Sequence, residues 1–485
     1  MTKAIFKLPP IKNEPLKTYA PGSPERQELK DKIAELRKGG LDLPMIIDGK
    51  EVRTGNLLDI RPPHDHQHLL GHYHQGGKEH VQMAIEAALK AKPAWECMSW
   101  ESRAAIFLKA ADLMSGPYRQ SLNAVTMLGQ GKNVYQSEID AVGELIDFYR
   151  YNVKNMYDLY AMQPNSSDGI WNRMVWRPLE GFIFALTPFN FTAIAGNLGG
   201  APALMGNTVV WKPSKTAVYA AHLVMTILQE AGLPDGVMNL VYVSGPDASE
   251  VVLNDENFAG IHFTGSTRVF DGMWEKIAKN VPKYKSYPRI VGETGGKDYV
   301  FADATANAKQ VATALIRGSF EYQGQKCSAA SRAYIPESLW PEVKKFMEAD
   351  LSKITVGGVE DFSNFVNAVI DEDSFDKLAK YIDDAKASPN AEVIMGGSYD
   401  KSVGYFIDPT VILAKKPDYI TMQEELFGPV LTVYVYEDDK IEETLDVLDN
   451  TSPYALTGAI FSARRDRIEH YTNRLTHTAG NFYIN

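Results

Sequence analysis

Cysteine is scarce in this sequence, since 485 residues contain only Cys97 and Cys327. Two distant cysteines give no disulfide framework and are typical of a reducing compartment. Basic runs are also absent, and a formal net charge of -11 argues against a nucleic-acid-binding surface. No apolar run approaches the roughly 18 residues of a membrane-spanning helix, and the N-terminus resembles no secretory or transit signal. We therefore expect a cytoplasmic protein, or a mitochondrial matrix protein in a eukaryote, with no nucleic-acid or membrane partner.

Short apolar runs that end in Gly, Ser, Thr or Asn alternate with helical segments along most of the chain. This alternation predicts an α/β fold with parallel sheets buried on both faces. The simplest division is two α/β domains in series, residues 1–155 with 179–292 and then 293–478, followed by 479–485. Residues 156–178 contain a Ser-Ser-Asp-Gly turn between two mixed runs and predict a protruding β-hairpin. Residues 137–160 predict one long helix.

The two cysteines differ in their surroundings. Cys97 lies in "PAWECMSW", a setting typical of a small buried hydrophobic residue. Cys327 lies in "EYQGQKCS", directly after Lys326, and a thiol near a cation can have its pKa lowered. One cysteine without an adjacent base is a weak signal, so a functional and a structural interpretation of Cys327 remain open at this point.

Three segments follow predicted strands of the first domain, where parallel sheets bind ligands. In "ALTPFNFT" Asn190 either donates its amide to a developing oxyanion or caps the next helix. Lys212 either contacts a ribose or phosphate or is an exposed loop lysine. Gly265 and Ser266 open a helix whose N-terminus suits a pyrophosphate, although the G-x-G-x-x-G fingerprint is absent.

Two acidic segments are further candidates. Glu293 in "VGETGGK" follows an apolar run, and a carboxylate in an apolar setting can serve as a general base. Glu424 and Glu425 precede Phe427 in "EELFGPV" and suit acid–base work or a ribose diol. The alternative for each segment is an ordinary solvated carboxylate.

Six of the ten histidines lie between His64 and His80. Imidazole is a common metal ligand, but cysteine and carboxylate partners are sparse in this segment. We expect polar pairing of these histidines on a strand ladder rather than a metal site.

The order of the candidates resembles the aldehyde dehydrogenase superfamily over nearly the whole chain. In chain order the set is Asn190, Lys212, Gly265 with Ser266, Glu293, Cys327, and Glu425 with Phe427. The resemblance implies, in the same order, an oxyanion donor, a ribose contact, a pyrophosphate turn, a general base, a nucleophile and a nicotinamide-ribose contact. It also implies that the cofactor site is lined by Thr187, Pro188, Phe189, Pro213, Ser214 and Gly295.

Longer segments such as "FEYQGQKCSAASR" and "GAPALMGNTVVWKPS" are similar to the branch of the family that oxidises L-glutamate γ-semialdehyde in proline catabolism, in its stand-alone form. This similarity implies NAD as cofactor, Ser328 on the substrate carboxylate, Phe191 against the aliphatic chain, and Glu144 near the active site. Lys326 is a further substrate-site candidate, with a charge pair to Glu144 as a hypothesis. NADP remains open, because Lys215 stands where many relatives have an acid.

The resemblance also implies the architecture: a Rossmann-like dinucleotide-binding domain, a Rossmann-like thiol domain, and an oligomerisation hairpin that builds a homodimer or a larger homo-oligomer. Family chains continue for several dozen residues beyond "AGNFYIN", so we expect weak dinucleotide binding, poor turnover and disordered self-association from a chain that ends here. The alternatives are an enzyme for another short carboxylated semialdehyde, a thioester hydrolase, and a binding protein that has kept the fold.

Overall fold

The computed structural model describes residues 7–485, which form two compact units. The first unit comprises residues 7–61, Leu69–Gln130 and Ser137–Glu293, and the second comprises Pro62–His68, Gly131–Gln136 and Thr294–Asn485. No helix within residues 7–485 has both the length and the apolar character that crossing a bilayer requires.

The first unit contains ten α-helices and ten strands within the described residues, besides short π- and 3-10-helical segments. The helices are α1 Pro24–Leu36, α2 Lys78–Cys97, α3 Trp100–Ser115, α4 Arg119–Gln130, α5 Val134–Ser137 (which begins in the second unit), α6 Leu145–Ala161, α7 Thr192–Leu204, α8 Val218–Ala231, α9 Gly245–Val252 and α10 Thr267–Asn280. The strands are β1 Leu41–Leu43, β2 Met45–Ile47, β3 Lys50–Val52, β4 Leu57–Ile60, β5 Gly71–His74, β6 Phe182–Leu186, β7 Thr208–Lys212, β8 Met238–Leu240, β9 Phe258–Gly265 and β10 Arg289–Thr294.

The main sheet of this unit has the order β10-β9-β6-β7-β8-β2-β3. β9, β6, β7 and β8 are parallel neighbours, while β2 runs antiparallel to β8 and β3. The runs "FIFAL" and "TVVW" are buried at every position, as strands covered on both faces require. A smaller sheet has the order β1-β5-β4. The predicted parallel sheet is therefore confirmed for this unit.

The second unit is built on a seven-stranded sheet of order β13-β16-β17-β12-β11-β18-β19, with the short pair β14–β15 beside it. Its strands are β11 Tyr299–Ala302, β12 Arg332–Pro336, β13 Ala391–Met395, β14 Tyr399–Asp400, β15 Phe406–Ile407, β16 Thr410–Ala414, β17 Val430–Tyr436, β18 Thr457–Phe461 and β19 Asn481–Ile484. Its helices are α11 Ala308–Phe320, α12 Trp340–Leu351, α13 Glu372–Ala387, α14 Ile420–Gln423, α15 Ile441–Asn450 and α16 Arg465–Arg474.

Helices cover both faces of this second sheet. Val300 of β11 packs with α11 and α12 in one apolar cluster, whereas Tyr299 and Phe301 pack with α15 and α16 in another. Successive strand residues thus point into opposite layers. All neighbours are parallel except β13 and β16. The second parallel sheet predicted from the sequence is also confirmed.

Two short segments depart from the predicted boundaries, which assigned residues 1–155 to the first domain. Pro62–His68 belongs to the second unit because it exchanges backbone hydrogen bonds with a loop there: His66 N–H donates to Val403 O (3.0 Å) and Tyr405 N–H to Pro63 O (3.0 Å). Gly131–Gln136 also belongs to the second unit. Long-range hydrogen bonds, rather than chain order, set these boundaries.

The predicted β-hairpin over 156–178 contains no strand, and its first residues continue α6 to Ala161. The chain does turn back on itself, with Ile170 N–H donating to Ser167 O (3.0 Å). The two arms are linked by the Gln163 side chain, which donates to Met174 O (3.2 Å) and accepts from Met174 N–H (2.9 Å). Trp171 is 86 % exposed. The hairpin is therefore an exposed loop held by a side-chain amide, because no backbone ladder forms within it.

The predicted helix over 137–160 is divided. Glu138–Glu144 is a π-helix, and α6 follows it. Gly143 lies in this segment against Leu16, and a Cβ there would overlap the Leu16 side chain. A π-helical turn inserts one extra residue and is frequent at functional sites.

Candidate functional site

Three predicted segments of the first unit lie at one edge of its sheet. Leu186 at the end of β6 is opposite Lys212 of β7 and Phe263 of β9. Because these strands are parallel, the residues that follow them meet at the carboxyl edge of the sheet. The segments are Thr187–Phe191, Lys212–Ser214 and Gly265–Ser266. Thr187 N–H donates to Lys212 O (3.1 Å), and the Thr187 hydroxyl accepts from the Trp211 indole (3.0 Å).

Glu293 lies at the same edge. Gly260 of β9 packs against Arg289 at the start of β10, and Gly292 packs against Phe270 of α10, the helix that follows β9. The two strands therefore run in the same direction, and the half-buried Glu293 lies at the end of β10.

The start of α7 shows what holds the Asn190 segment. Asn190 is buried, and Thr192 and Ala193 donate their backbone N–H groups to the two carboxylate oxygens of Asp140, each at 2.9 Å. Asp140 is itself buried, in the π-helix. The alternative in which Asn190 caps this helix is wrong, because Asp140 is the acceptor there. No sequence pattern pointed to Asp140, which lies about 50 residues away in the chain.

Lys212 is partly buried, and its ammonium donates to Pro213 O (3.0 Å). Burial lowers the pKa of Lys212 to about 8. Ser214, the next residue in the predicted set, shares a hydrogen bond with the Thr216 hydroxyl (3.2 Å). Lys215 is exposed at the start of a short 3-10 helix.

Gly265 and Ser266 precede the 14-residue helix α10, as predicted. The first N–H groups of a helix have no acceptor within it, and the dipole there favours an anion. A Cβ at Gly265 would lie 2.7 Å from the Phe263 ring, so glycine permits this close turn. The arrangement fits a pyrophosphate, with Lys212 two strands away, beyond β6, at the same edge.

In the second unit the candidate segments lie at the amino edge of the sheet, where the parallel strands begin. Tyr299, Arg332 and Thr432 are in register on the parallel strands β11, β12 and β17. Cys327 precedes β12, Gly295 precedes β11, and Glu425 precedes β17. The amino edge of this sheet therefore brings together three segments that the sequence placed far apart.

The thiol segment is only partly covered. Cys327 is half-buried and Ser328 is exposed, with its carbonyl accepting from the Thr457 hydroxyl (3.2 Å). The Lys326 ammonium lies 3.3 Å from a Glu321 carboxylate oxygen. This local ion pair lies within the second unit, and the Lys326–Glu144 pair stays a hypothesis.

Glu425 and Gly295, two residues of the predicted cofactor set, are in contact. Gly296 N–H donates to Glu425 Oε1 (3.2 Å), and a Cβ at Gly295 would overlap the carboxylate. Burial raises the pKa of Glu425. The Lys377 ammonium donates to Glu425 O (3.0 Å), and Phe427 has a left-handed backbone with φ of 61°.

Buried charges beside Glu425 were not predicted. The Lys297 side chain is buried, and burial, followed by the nearby Arg332, lowers the pKa of Lys297 to about 7. Asp298 accepts from Leu456 N–H (2.8 Å) and the Thr457 hydroxyl (2.7 Å). Burial raises the pKa of Asp298 to about 6. The only sequence signal for this cluster was its place between a glycine pair and an apolar strand.

Glu144 of the π-helix lines an open cleft of about 690 Å³ in the first unit. The other lining residues are Asn13, Glu14, Leu16, Ile139, Gly143, Asp147, Phe148, Tyr151, Asn152, Asn155 and Asn197. Among the described residues that line it, none is lysine or arginine, but Glu14 is paired with Arg119 and Arg150 at 2.7 Å each. Glu144 and Asp147 therefore supply the acidic character of the cleft, which suits an ammonium group.

The remaining predictions have mixed outcomes. Cys97 is exposed, so its predicted burial is wrong: it ends α2, where Trp95 is the residue that points inward. His72 and His74 of β5 pair with Asp59 (3.1 Å) and Asp42 (2.8 Å) on the neighbouring strands of the small sheet, as expected.

Other histidines pair outside any ladder. His64 lies 3.1 Å from Glu360, and His66 hydrogen-bonds Lys401 O (2.8 Å). Within residues 7–485, no three His, Cys, Asp or Glu side chains are grouped as metal ligands.

Comparison with known proteins gives one consistent result. The model of the family "Aldehyde dehydrogenase family" matches residues 51–485. The delta-1-pyrroline-5-carboxylate dehydrogenase of Dictyostelium discoideum, named mitochondrial, is 50 % identical over 481 residues, which cover 99 % of this chain and 86 % of the relative. The human mitochondrial enzyme of the same name is 45 % identical over 476 residues, or 98 % of this chain and 84 % of the relative.

A solved structure gives the same result. The Delta-pyrroline-5-carboxylate dehydrogenase from Mycobacterium tuberculosis, bound with NAD, superposes with a TM-score of 0.96 at 48 % identity. The match covers 100 % of this chain and 89 % of the other.

Proposed function

The chain belongs to the aldehyde dehydrogenase family, and we propose that it oxidises L-glutamate γ-semialdehyde, the open form of 1-pyrroline-5-carboxylate, to L-glutamate with NAD in proline catabolism. The observation that carries this proposal is identity of 45–50 % over at least 98 % of the chain with relatives named for 1-pyrroline-5-carboxylate oxidation. The site residues of both units suit that chemistry.

Three residues are assigned to the reaction itself. The Cys327 thiolate attacks the aldehyde carbon and forms a thiohemiacetal. Its oxyanion accepts hydrogen bonds from the Asn190 amide and the Cys327 backbone N–H. Loss of hydride leaves a thioester, and Glu293 removes a proton from the water that hydrolyses it to glutamate. Cys327 then leaves as a thiolate and is ready for another cycle.

NAD supplies the hydride acceptor, and residues of both units fit it. The N-terminus of α10 after Ser266 suits the pyrophosphate, and Lys212 suits a ribose hydroxyl. Glu425 is a partly buried carboxylate held by Gly296 N–H, and it can accept from a ribose diol. The remaining proposed lining residues are Thr187, Pro188, Phe189, Pro213, Ser214, Gly265, Gly295 and Phe427.

The substrate's charged end is assigned separately. Ser328 is exposed, and its hydroxyl is proposed to donate to the α-carboxylate. Phe191, half-buried directly before α7, is proposed to pack against the aliphatic chain. The acidic cleft lined by Glu144 is proposed to favour the α-ammonium group, and Lys326 is proposed to act near the carboxylate.

A homodimer or larger homo-oligomer is the proposed assembly. Trp171 and Val175 in the 162–178 loop are 86 % and 72 % exposed, and Tyr483 on the edge strand β19 is 57 % exposed. Apolar loops and open strand edges need a cover, and a second copy of the chain offers both. Size-exclusion chromatography with light scattering tests this, since a Trp171→Ser, Val175→Ser variant should shift toward monomer. We propose the cytoplasm, or the mitochondrial matrix in a eukaryote, as the location.

The experiment that tests the function is NADH formation with a panel of aldehydes and both dinucleotides. We expect kcat/KM for glutamate γ-semialdehyde to exceed that for succinate semialdehyde and acetaldehyde by at least about tenfold, because charged recognition groups discriminate strongly. A higher kcat/KM for another carboxylated semialdehyde would identify that aldehyde as the substrate. Thioester hydrolysis without NADH formation from any aldehyde would refute the proposal.

A further inference from the structure

Tyr322, Gln323 and Gly324 form a left-handed turn just before the thiol segment. Their φ angles are 50°, 56° and 64°, and the side chains of Tyr322 and Gln323 are fully buried. Left-handed backbone is unfavourable for residues with a Cβ and persists only where the surroundings enforce it. The contacts that enforce it here are found within the second unit.

Gln323 makes the most specific of these contacts. Its side-chain amide donates to Gly131 O and to Ala368 O, each at 2.8 Å, and all three groups are buried. Gly131 has a left-handed backbone, and a Cβ there would lie 2.8 Å from Ala368 O. One amide therefore ties the strained turn to two chain segments that are distant in sequence.

The segment Gly131–Gln136, called the brace below, makes one further contact with the turn and one with Glu321, the residue before it. The buried Lys132 ammonium lies 4.6 Å from the centre of the Tyr322 ring. The Gln136 amide donates to Glu321 Oε2 (3.2 Å). The brace comprises six residues of the second unit between two segments of the first. It contacts the segment that leads to the thiol and also the 365–368 segment, where the Asn133 amide donates to Phe365 O (3.1 Å).

The other side of the turn is held as well. Gly324 packs so closely on the Gly428 backbone that a Cβ would overlap it. The side-chain Oε1 of Gln325 accepts from Ile370 N–H (2.9 Å). The chain is thus fixed up to Gln325, and Cys327 follows two residues later.

We infer that Gln323 is a positioning residue for the Cys327 thiol: its amide, bound to Gly131 O and Ala368 O, holds the left-handed turn that fixes where the thiol segment leaves the protein core. The inference rests on the proposed function only in that Cys327 is taken as the nucleophile. A small displacement of a nucleophile can cost about 10²-fold in rate, so a lost amide should be visible in kcat.

The test uses Gln323→Ala in a Cys97→Ser background, so that Cys327 is the one thiol that iodoacetamide can label. We expect kcat to fall about 10- to 100-fold with the KM for NAD unchanged. Alkylation of Cys327 should become at least about threefold faster, because the thiol segment is no longer held. Gln310→Ala, an exposed position on α11, is the matched control and should leave both rates unchanged.

A purely structural role would not give opposite changes in kcat and alkylation at unchanged NAD binding. A folded Gln323→Ala protein with the parental kcat or the parental alkylation rate would overturn the inference. If that variant does not fold, Gln136→Ala tests the inference instead. We expect it to lose about three- to tenfold in kcat. Parental rates for Gln136→Ala would then overturn it.

The inference and the proposed function can fail independently. Alkylation needs no substrate, so it reports on the thiol segment even if Cys327 proves not to be the nucleophile. Turnover by Cys327→Ser would refute the proposed role of Cys327 while leaving the alkylation result to decide on Gln323.

Discussion

The two sheets use opposite edges. The first unit places Asn190, Lys212 and Ser266 after its parallel strands, whereas the second places Cys327 and Glu425 before its strands. Helices begin at a carboxyl edge, and their N-termini favour anions. An amino edge lacks those N-termini, so the charges there come from side chains. The first edge therefore suits the pyrophosphate, and the second suits the thiol.

Replacing the Cys327 thiol, at the edge of the second sheet, should have the largest effect. Cys327→Ser should lower the rate of NADH formation on the order of 10³-fold or more, because a hydroxyl has no accessible anionic form. NAD affinity, measured by calorimetry, should be unchanged, since the anion-binding edge belongs to the other sheet. Cys97→Ser is the matched control and should keep full activity. A Cys327→Ser enzyme that retains a tenth of the parental rate contradicts this assignment.

The first edge also contributes the proposed base, Glu293. Replacing Glu293 separates the formation of the thioester from its hydrolysis. Glu293→Gln should reduce steady-state turnover about 10²-fold while leaving formation of the thioester less affected. A burst of NADH followed by a slow phase should appear in stopped-flow absorbance. Glu256→Gln, an exposed surface position of the same unit, serves as control. Equal losses in the burst and the slow phase would show that Glu293 acts at another step.

The parallel sheets could be predicted because their signals are local. Buried runs such as 182–186 and 208–211 are followed by polar residues and alternate with helices, so period and composition suffice. The chain order of the candidate residues, through its resemblance to a family, also predicted which residues form the site. The opposite edges could not be predicted in the same way, since they depend on which strands pair.

The residues that position the site could not be predicted either, because they act through contacts between distant parts of the chain. Asp140 meets the start of α7 about 50 residues away, and Gln323 meets Gly131 192 positions away. Neither contact leaves a periodic or compositional signal. The π-helix at Glu138–Glu144 was likewise read as part of a continuous helix, because its extra residue does not change the apolar pattern.

Asp140 offers a milder test of the first edge. Asp140→Asn keeps the shape but leaves one of the two N–H groups of α7 without an acceptor oxygen, at a cost of about 1–3 kcal/mol in the free energy of unfolding. Because Asn190 lies two residues before that helix, we expect kcat to fall about tenfold. Thermal denaturation and steady-state kinetics measure the two effects.

Asp158→Asn, an exposed ion-pair position on α6, is the control and should change neither. An Asp140→Asn enzyme that is destabilised but retains the parental kcat would show that Asp140 supports the fold without positioning Asn190.

The smallest expected effect concerns the ammonium group of Lys212 at the first edge. Burial lowers the pKa of Lys212 to about 8, below its ordinary 10.5. The ammonium that serves NAD is therefore present below this pH and is lost as the pH rises through about 8. The KM for NAD should rise between about pH 7 and 9.5 in the parent. Lys212→Met should raise the KM about tenfold at pH 7 and remove this pH dependence, whereas Lys212→Arg should keep a low, flat KM.

Stability should show the opposite trend for the same residue. A lysine whose folded pKa is lowered destabilises the fold while both states are protonated, below about pH 8, and this penalty is relieved as the pH rises toward 10.5. Lys212→Met should therefore melt higher than the parent at pH 7, with the difference shrinking above pH 8. Lys279→Met, at an exposed position of α10, is the control. A KM for NAD that stays pH-dependent in Lys212→Met would assign the titration to another group and remove Lys212 from the cofactor edge.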